Sequence, residues 1–325
     1  MMEKSFTLGI LTSGGDAPGM NSCIRAVVRT ALSMNARILG VLNGFEGLIS
    51  GEFRPLGARD VGGILQRGGT VLHTHRSERF KEPSGQREAI RHMNEAGMDG
   101  LVVIGGDGSL RGAHILAQQG ITVLGVPASI DNDIWGSDMA IGADTALNTI
   151  MDAVDKLRDT ASSHNRAFLV ETMGRGSGYL AVLAGIICGA EIVLCPEIKV
   201  TVAEVAAVIE DAYLRGKNHS ILIVAEGANI RAAELARSLD EMDVGFKTRV
   251  TILGHIQRGG SPTAFDRLLA ARLGVKAVQG LLEGKSDVMV GLQGREVEFV
   301  PLEEVTSHPR PADLKDINMA RMLAQ

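Results

Sequence analysis

Strand-like and helix-like segments alternate along the whole chain, and that alternation predicts an α/β fold: doubly wound, largely parallel sheets with helices on both faces. Two further observations support it. Most of the expected strands are short continuous apolar runs, as parallel strands covered on both faces require. Glycine-rich turns carrying acids fall at the ends of those strands, where an open α/β sheet binds its ligands. Strands are expected over 7–11, 38–42, 101–104, 122–126, 167–171, 192–195, 220–224 and 250–253. Helices are expected over 20–33, 86–96, 110–119, 143–160, 202–215, 232–242 and 265–282. The apolar stretch from Tyr179 to Cys195 is broken by Gly185, Gly189 and Glu191, so it reads as a buried helix leading to a strand rather than a membrane span.

Composition narrows the function classes. The 325 residues, 45% hydrophobic, suffice for one large or two medium domains with a substantial core. Aromatics are only 3% against 40 glycines, so that core is built from Val, Ile, Leu and Ala around many turns. A net charge of −5 argues against broad binding to nucleic acid or an anionic membrane. Cys23, Cys188 and Cys195 form no C-x-x-C pair and are odd in number; they read as buried or half-buried thiols in a reducing cytoplasm. Residues 1–7 carry charges and no signal-peptide apolar segment. No low-complexity linker divides the chain. A strand, glycine-rich turn and helix recur at 12–21, 105–110 and 173–179, and a domain boundary is expected near Gly142, where a long helix begins.

Several turns carry the chemistry. Leu11-Thr12-Ser13-Gly14-Gly15-Asp16-Ala17-Pro18-Gly19-Met20-Asn21 follows the first strand and opens a helix, so its backbone N–H groups can bind a polyphosphate. It is neither G-x-G-x-x-G nor a Walker A sequence, and alone it fits a tight structural turn equally well. In Gly105-Gly106-Asp107-Gly108-Ser109 the glycines let backbone approach phosphate, and Asp107 suits Mg²⁺. A cap on the following helix is the alternative, but a cap needs no glycine on both sides. In Ser129-Ile130-Asp131-Asn132-Asp133 an extended backbone points Ser129, Asp131 and Asp133 the same way, dividing metal and base duties; an Asx-turn explains the segment equally well. Arginine forks suit phosphate oxygens, and Arg76, Arg175, Arg249 and Arg258 (with His255 near the last) recur beside glycine-rich turns or strand ends of an acidic protein. Glycines, acids and arginines together at strand ends are what phosphoryl transfer needs. His73 and His75 read as polar loop residues, with no Cys or carboxylate cluster to make them metal ligands.

Taken together, Leu11–Asn21, 67–70, 105–109, 130–134, 158–160, 162–164, 173–175 and 253–262 resemble the bacterial ATP-dependent 6-phosphofructokinases, in unbroken order from about residue 8 to about 266. The tail after Pro301 matches weakly. The resemblance implies two Rossmann-like domains: 1–142 plus 257–305 for ATP and Mg²⁺, and 143–256 plus 306–325 for the sugar phosphate. It implies transfer of the γ-phosphoryl of MgATP to the 1-hydroxyl of fructose 6-phosphate in glycolysis. By matching position, Asp131 is implied as the base, Asp107 as the Mg²⁺ ligand, and Arg175 as the group that steadies the transferred charge. Ser129 stands where many members have Thr. Gly14, Arg76, Gly106, Gly108 and Ser109 are implied to hold ATP. Met173, Gly174 and Glu226 would contact the sugar, and Arg166, Arg249, His255 and Arg258 would grip its phosphate. Arg166 and Arg249 are implied to reach in from a neighbouring subunit, hence a homo-oligomer, a tetramer, in the cytoplasm.

The resemblance also bears on donor and control. Pyrophosphate-using relatives carry Asp and Lys where this chain has Gly108 and Ala128, so the small residues here leave room for ATP. Arg25, Arg29, Arg158, Glu191, Arg215 and Lys217 match the family's effector site for ADP or phosphoenolpyruvate. Ala58 and Gly63 replace an arginine and an acid expected there, so effector control is expected to be weakened or altered. A kinase for another ketose phosphate and a non-catalytic nucleotide sensor are the rival readings. A nicotinamide-dependent dehydrogenase lacks its glycine fingerprint here.

Overall fold

A computed structural model describes residues 6–324 and divides the chain into two compact units. The first comprises the residues up to Ser129, Ile134–Thr145 and Arg258–Pro309; the second comprises Ile130–Asp133, Ala146–Gln257 and the residues from Arg310 onward. The strands are β1 (Thr7–Ser13), β2 (Arg37–Val41), β3 (Phe53–Pro55), β4 (Gly100–Gly105), β5 (Val123–Pro127), β6 (Arg166–Thr172), β7 (Ile192–Leu194), β8 (Ser220–Ala225), β9 (Lys247–Ile252), β10 (Val288–Gln293) and β11 (Glu296–Pro301). The helices are α1 (Met20–Ser33), α2 (Gly44–Ser50), α3 (Pro83–Glu95), α4 (Asp107–Gln118), α5 (Ala143–His164), α6 (Tyr179–Cys188), α7 (Val202–Leu214), α8 (Ala232–Met242), α9 (Ala264–Leu282), α10 (Leu302–Ser307) and α11 (Leu314–Leu323).

The first unit is built on a seven-stranded sheet in the order β11-β10-β5-β4-β1-β2-β3. Its inner strands run parallel, and β1, β4 and β5 are buried along their whole length. That is why they read as unbroken apolar runs. Both edges end antiparallel: β3 against β2, and β11 against β10. Antiparallel edges on a parallel sheet are common in doubly wound folds. Leu11, Leu39, Val103, Leu110, Leu116, Met289 and Leu302 share one core, with the ring of Phe45 stacked on Phe80 at 4.2 Å.

The second unit carries a four-stranded, wholly parallel sheet in the order β7-β8-β6-β9. Leu169, Leu222 and Val224 from its strands pack with Val205 and Ile209 of α7 and Leu235 and Leu239 of α8. Helix α7 is started by a reciprocal capping box, Thr201 with Glu204, which satisfies two of the N–H groups a helix start leaves open. Among the described residues no helix is long and apolar enough to cross a membrane. All three cysteines are free and buried, and burial pushes the thiols of Cys188 and Cys195 up to about 11, which makes them poor nucleophiles.

Candidate functional site

In the first unit the parallel strands β1, β4 and β5 bring three loops to one edge of the sheet. After β1, Gly14 adopts φ +86° and Gly19 φ +110°, left-handed values that favour glycine, so the chain turns sharply into α1. A Cβ on Gly14 would lie 3.2 Å from Ser109 Oγ, so the first glycine-rich turn and the one after β4 adjoin. Helix α4 begins at Asp107, earlier than expected, with Gly106 as its N-cap and no side-chain cap. Asp107 is therefore a first-turn residue rather than a capping one, and Arg111 Nε donates to both of its carboxylate oxygens at 3.2 and 3.0 Å. Nothing lies within 4 Å of where a Cβ on Gly108 would stand, so the start of α4 faces open space. Ser129 follows β5, its Cβ 3.9 Å from where a Cβ on Gly106 would stand.

Buried polar side chains hold a long coil against this edge. Asn21, 1% exposed, donates Nδ2 to the carbonyls of Arg67 and Gly68 and accepts from Val71 N–H at 2.8 Å. Ser22 donates to Leu65 O, Thr12 to His73 O, and Thr74 to Gly14 O, each at 2.8 Å. His73 takes a left-handed φ of +59°, and its imidazole and that of His75 belong to exposed residues of this coil. Exposed Arg76 lies just past the anchored stretch. Beyond it, Glu46 accepts from Ser77 Oγ at 2.5 Å and pairs with Arg79 at 2.6 Å; these contacts, the Ser77 bond foremost, hold its carboxyl below the usual glutamate range. Neither Asn21's anchoring role nor the Glu46 clamp was foreseen, because their partners lie far along the chain. Arg258 donates Nη1 to Asp16 O at 3.1 Å, and a Cβ on Gly15 would collide with its guanidinium.

The second unit holds Asp131, Arg175 and Glu226. Asp131 is 2% exposed, and its Oδ2 lies 3.5 Å from Arg175 Nε. The segment is not extended as first expected: Asn132 takes φ +48°, a region Asn tolerates better than most residues, so the simple alternation of Asp131 and Asp133 fails. Asp131 is buried and Asp133 only partly so. Arg310, from the weakly matching tail, donates to Asn132 O at 3.3 Å. After β6, Gly174 has φ +141° and Arg175 φ +50°, and Glu226 at the end of β8 accepts from both of their N–H groups, at 3.2 and 2.8 Å. Buried Gln257 accepts from Met173 N–H at 3.3 Å. Met173, Gly174, Arg175 and Glu226 thus share the C-terminal edge of the small sheet, and exposed His255 follows β9 at the same edge.

Two arginines stand apart from that edge. Arg166 is the first residue of β6, and the strand rises roughly 20 Å before Met173, at ~3.3 Å per residue. Arg249 pairs in register with Phe168, also toward the start of the ladder, and donates to Thr248 O. Of the residues matched to an effector site, Arg25 and Arg29 lie on α1 in the first unit, where Arg29 donates to Ala58 O. In the second unit buried Glu191 pairs with Lys217 at 3.1 Å, Arg215 pairs with Asp211, and Arg158 donates to Cys188 O. His219, which sequence reasoning missed, stands among Glu191, Arg158 and Lys217; burial lowers its pKa, outweighing the opposite pull of the Glu191 carboxylate and aided by the two cations. Among the described residues no cluster of three or more His, Cys, Asp or Glu could by itself hold a metal ion.

Comparison with known proteins places the chain in a family. The phosphofructokinase family profile matches residues 7–281. The ATP-dependent 6-phosphofructokinase of Thermotoga neapolitana is 52% identical over 98% of this chain and 99% of its own, and that of Shouchella clausii 48% identical over 98% and 99%. The crystal structure of Pichia pastoris phosphofructokinase in the T-state superposes with a TM-score of 0.90 at 36% identity, covering 94% of this chain and 36% of that longer one. The fold is that of an α/β sugar-phosphate kinase. The chain belongs to the phosphofructokinase family.

Proposed function

We propose that the protein transfers the γ-phosphoryl of ATP to the 1-hydroxyl of fructose 6-phosphate, giving fructose 1,6-bisphosphate and ADP, as a glycolytic enzyme of the cytoplasm. The observation that carries this reading is Asp131, a buried carboxylate held 3.5 Å from the Arg175 guanidinium on a loop whose backbone Glu226 pins. Phosphoryl transfer asks for alignment and charge neutralisation more than for covalent help. Asp131 takes the proton of the attacking hydroxyl, Arg175 steadies the charge on the transferred group, and the Ser129 hydroxyl assists beside it. Gly14, Arg76, Gly106, Gly108 and Ser109 hold ATP; the open space over Gly108 leaves room for a nucleotide where an Asp side chain would intrude. Met173, Gly174 and Glu226 contact the sugar, and His255 and Arg258 bind its phosphate.

The donor set fits Mg²⁺ carried in on the phosphates. A lone, half-exposed carboxylate beside phosphate-binding N–H groups is how Mg²⁺ is commonly held, through one or two acids plus substrate oxygens and water. Asp107 would hold the ion, which when bound would neutralise charge on the β- and γ-phosphates. Arg166 and Arg249 lie too far back along their strands to join Arg175 within one chain, so their role in gripping the sugar phosphate is exercised toward a second subunit of a homo-oligomer, a tetramer. Ile252 and Ile256, 61% and 59% exposed, supply apolar surface for such an assembly. ADP or phosphoenolpyruvate acts, with altered strength, at the Arg25, Arg29, Arg158, Glu191, Arg215 and Lys217 set. A coupled assay offering ATP or pyrophosphate with fructose 6-phosphate tests the reading: turnover with ATP alone is expected, and turnover with pyrophosphate alone, or with neither, defeats it.

A further inference from the structure

Asp266 belongs to none of the residue sets above, yet it is completely buried at the start of α9, with both carboxylate oxygens hydrogen-bonded. It sits at the third position of that helix, where an acid ordinarily reaches back to the capping residue. Here it turns away. Its Oδ1 accepts from Gly142 N–H at 2.9 Å, and its Oδ2 accepts from Thr145 N–H at 2.8 Å and Thr145 Oγ1–H at 2.5 Å. These are donors at the first turn of α5, so a carboxylate from one helix caps the start of another. Thr145 returns the favour: its Oγ1 accepts from Thr263 N–H at 3.0 Å, at the head of α9. Thr263 Oγ1 closes the ring by donating to Asp144 at 2.6 Å and accepting from Asp266 N–H at 3.2 Å.

This interlocked cap fixes Gly142, and Gly142 adjoins Ile141. Ile141 N–H donates to Pro127 O, and Ser129 N–H donates to Ile141 O, both at 3.1 Å, bracketing the isolated bridge between Ala128 and Ile141. The backbone that leaves β5 toward Asp131 is therefore clamped, two residues before Asp131, by a strap whose far end is held by Asp266 and Thr145. Gly142 itself has φ +103°, and a Cβ there would lie 2.7 Å from Ala17 Cβ, so the strap packs closely against the turn after β1.

We propose that Asp266 and Thr145 are positioning residues for the phosphoryl-transfer step: their shared hydrogen bonds set the exit of β5 and so place Ser129 and Asp131. This rests on the reading of Asp131 as the base. The test compares Thr145→Val, Thr145→Ser and Asp266→Asn with the parent enzyme and with Asp131→Asn. MgATP binding is titrated by calorimetry alongside steady-state turnover. Thr145→Val and Asp266→Asn are expected to bind MgATP with unchanged stoichiometry and affinity while kcat falls on the order of ten- to a hundredfold, as small misplacements of reacting groups cause. Thr145→Ser, which keeps the hydroxyl, is expected to stay near the parent kcat. The proposal is overturned if Thr145→Val keeps the parent kcat, or if turnover falls only in proportion to binding stoichiometry, as loss of folded enzyme would produce. Should Asp266→Asn fail to fold, Thr145→Val and Thr145→Ser decide alone. Parent-like activity in Asp131→Asn would instead remove the base reading, and this inference with it.

Discussion

The glycine-rich loops of the two units are held in opposite ways. In the first unit the turn after β1 and the coil from Leu65 to Thr74 are tied mainly by neutral side chains, Thr12, Asn21, Ser22 and Thr74, bonded almost wholly to backbone, with Arg258 adding one bond to Asp16 O. In the second unit the turn after β6 is pinned by a carboxylate, Glu226, and its neighbouring acid and arginine face one another at 3.5 Å. On the proposed reading, the mainly neutral arrangement presents N–H groups and leaves most of the local charge to be set by the polyphosphate and its cation. On the same reading, the charged arrangement supplies the groups that act during transfer. If those roles hold, binding geometry and reacting charge fall to different loops, and substitutions in the two should separate KM from kcat.

The sharpest test lies in the charged loop. Asp131→Asn keeps shape and removes the base, so kcat should fall by ~10²–10⁴-fold. The KM for fructose 6-phosphate should stay within a few-fold. A large rise in that KM with little change in kcat would erase the contrast between the loops. Asn21→Ala should do the reverse. It leaves Val71 N–H and two carbonyls without their partner, costing about 1–3 kcal/mol per buried group left unmet. The KM for ATP should rise more than kcat falls, with a lower melting temperature read by calorimetry. The smallest effect concerns Glu46. Its carboxyl is held below the ordinary range in the folded protein, so the clamp contributes stability above the unfolded glutamate pKa and loses it as pH falls through the folded value. Glu46→Gln should melt slightly below the parent at neutral pH, and the gap should close on acidification; Arg79's exposure keeps the difference small.

Much of this organisation was legible in the chain. The buried strands β1, β4, β5 and β8 announce themselves because both faces are covered and nearly every residue must be apolar. The β10–β11 hairpin did not: β10 is a short, mostly buried strand interrupted by Gly291, and the edge strand β11 largely alternates exposed and half-buried residues, so neither carries a long apolar run. The three-residue β3 is too short to signal anything. Asp107, Asp131 and Arg175 stand out because glycine flanks or an acid pair mark them locally. The conformation at Asn132 overturned the extended reading of its segment, because a single left-handed residue redirects the backbone without altering composition. Asn21, Glu46 and Asp266 escaped because each acts on residues tens to more than a hundred positions away, which only the folded chain brings together.

Strand β6 has one arginine at its first residue and the turn of Met173, Gly174 and Arg175 just past its last. If Arg166 serves a neighbour, every polypeptide is at once donor and recipient, and two crippled versions can repair each other. Mixing Asp131→Asn chains with Arg166→Ala chains, unfolding and refolding them together, should rebuild some pockets with both groups intact. The blend would then outperform either parent preparation, a gain that a self-sufficient monomer could never show.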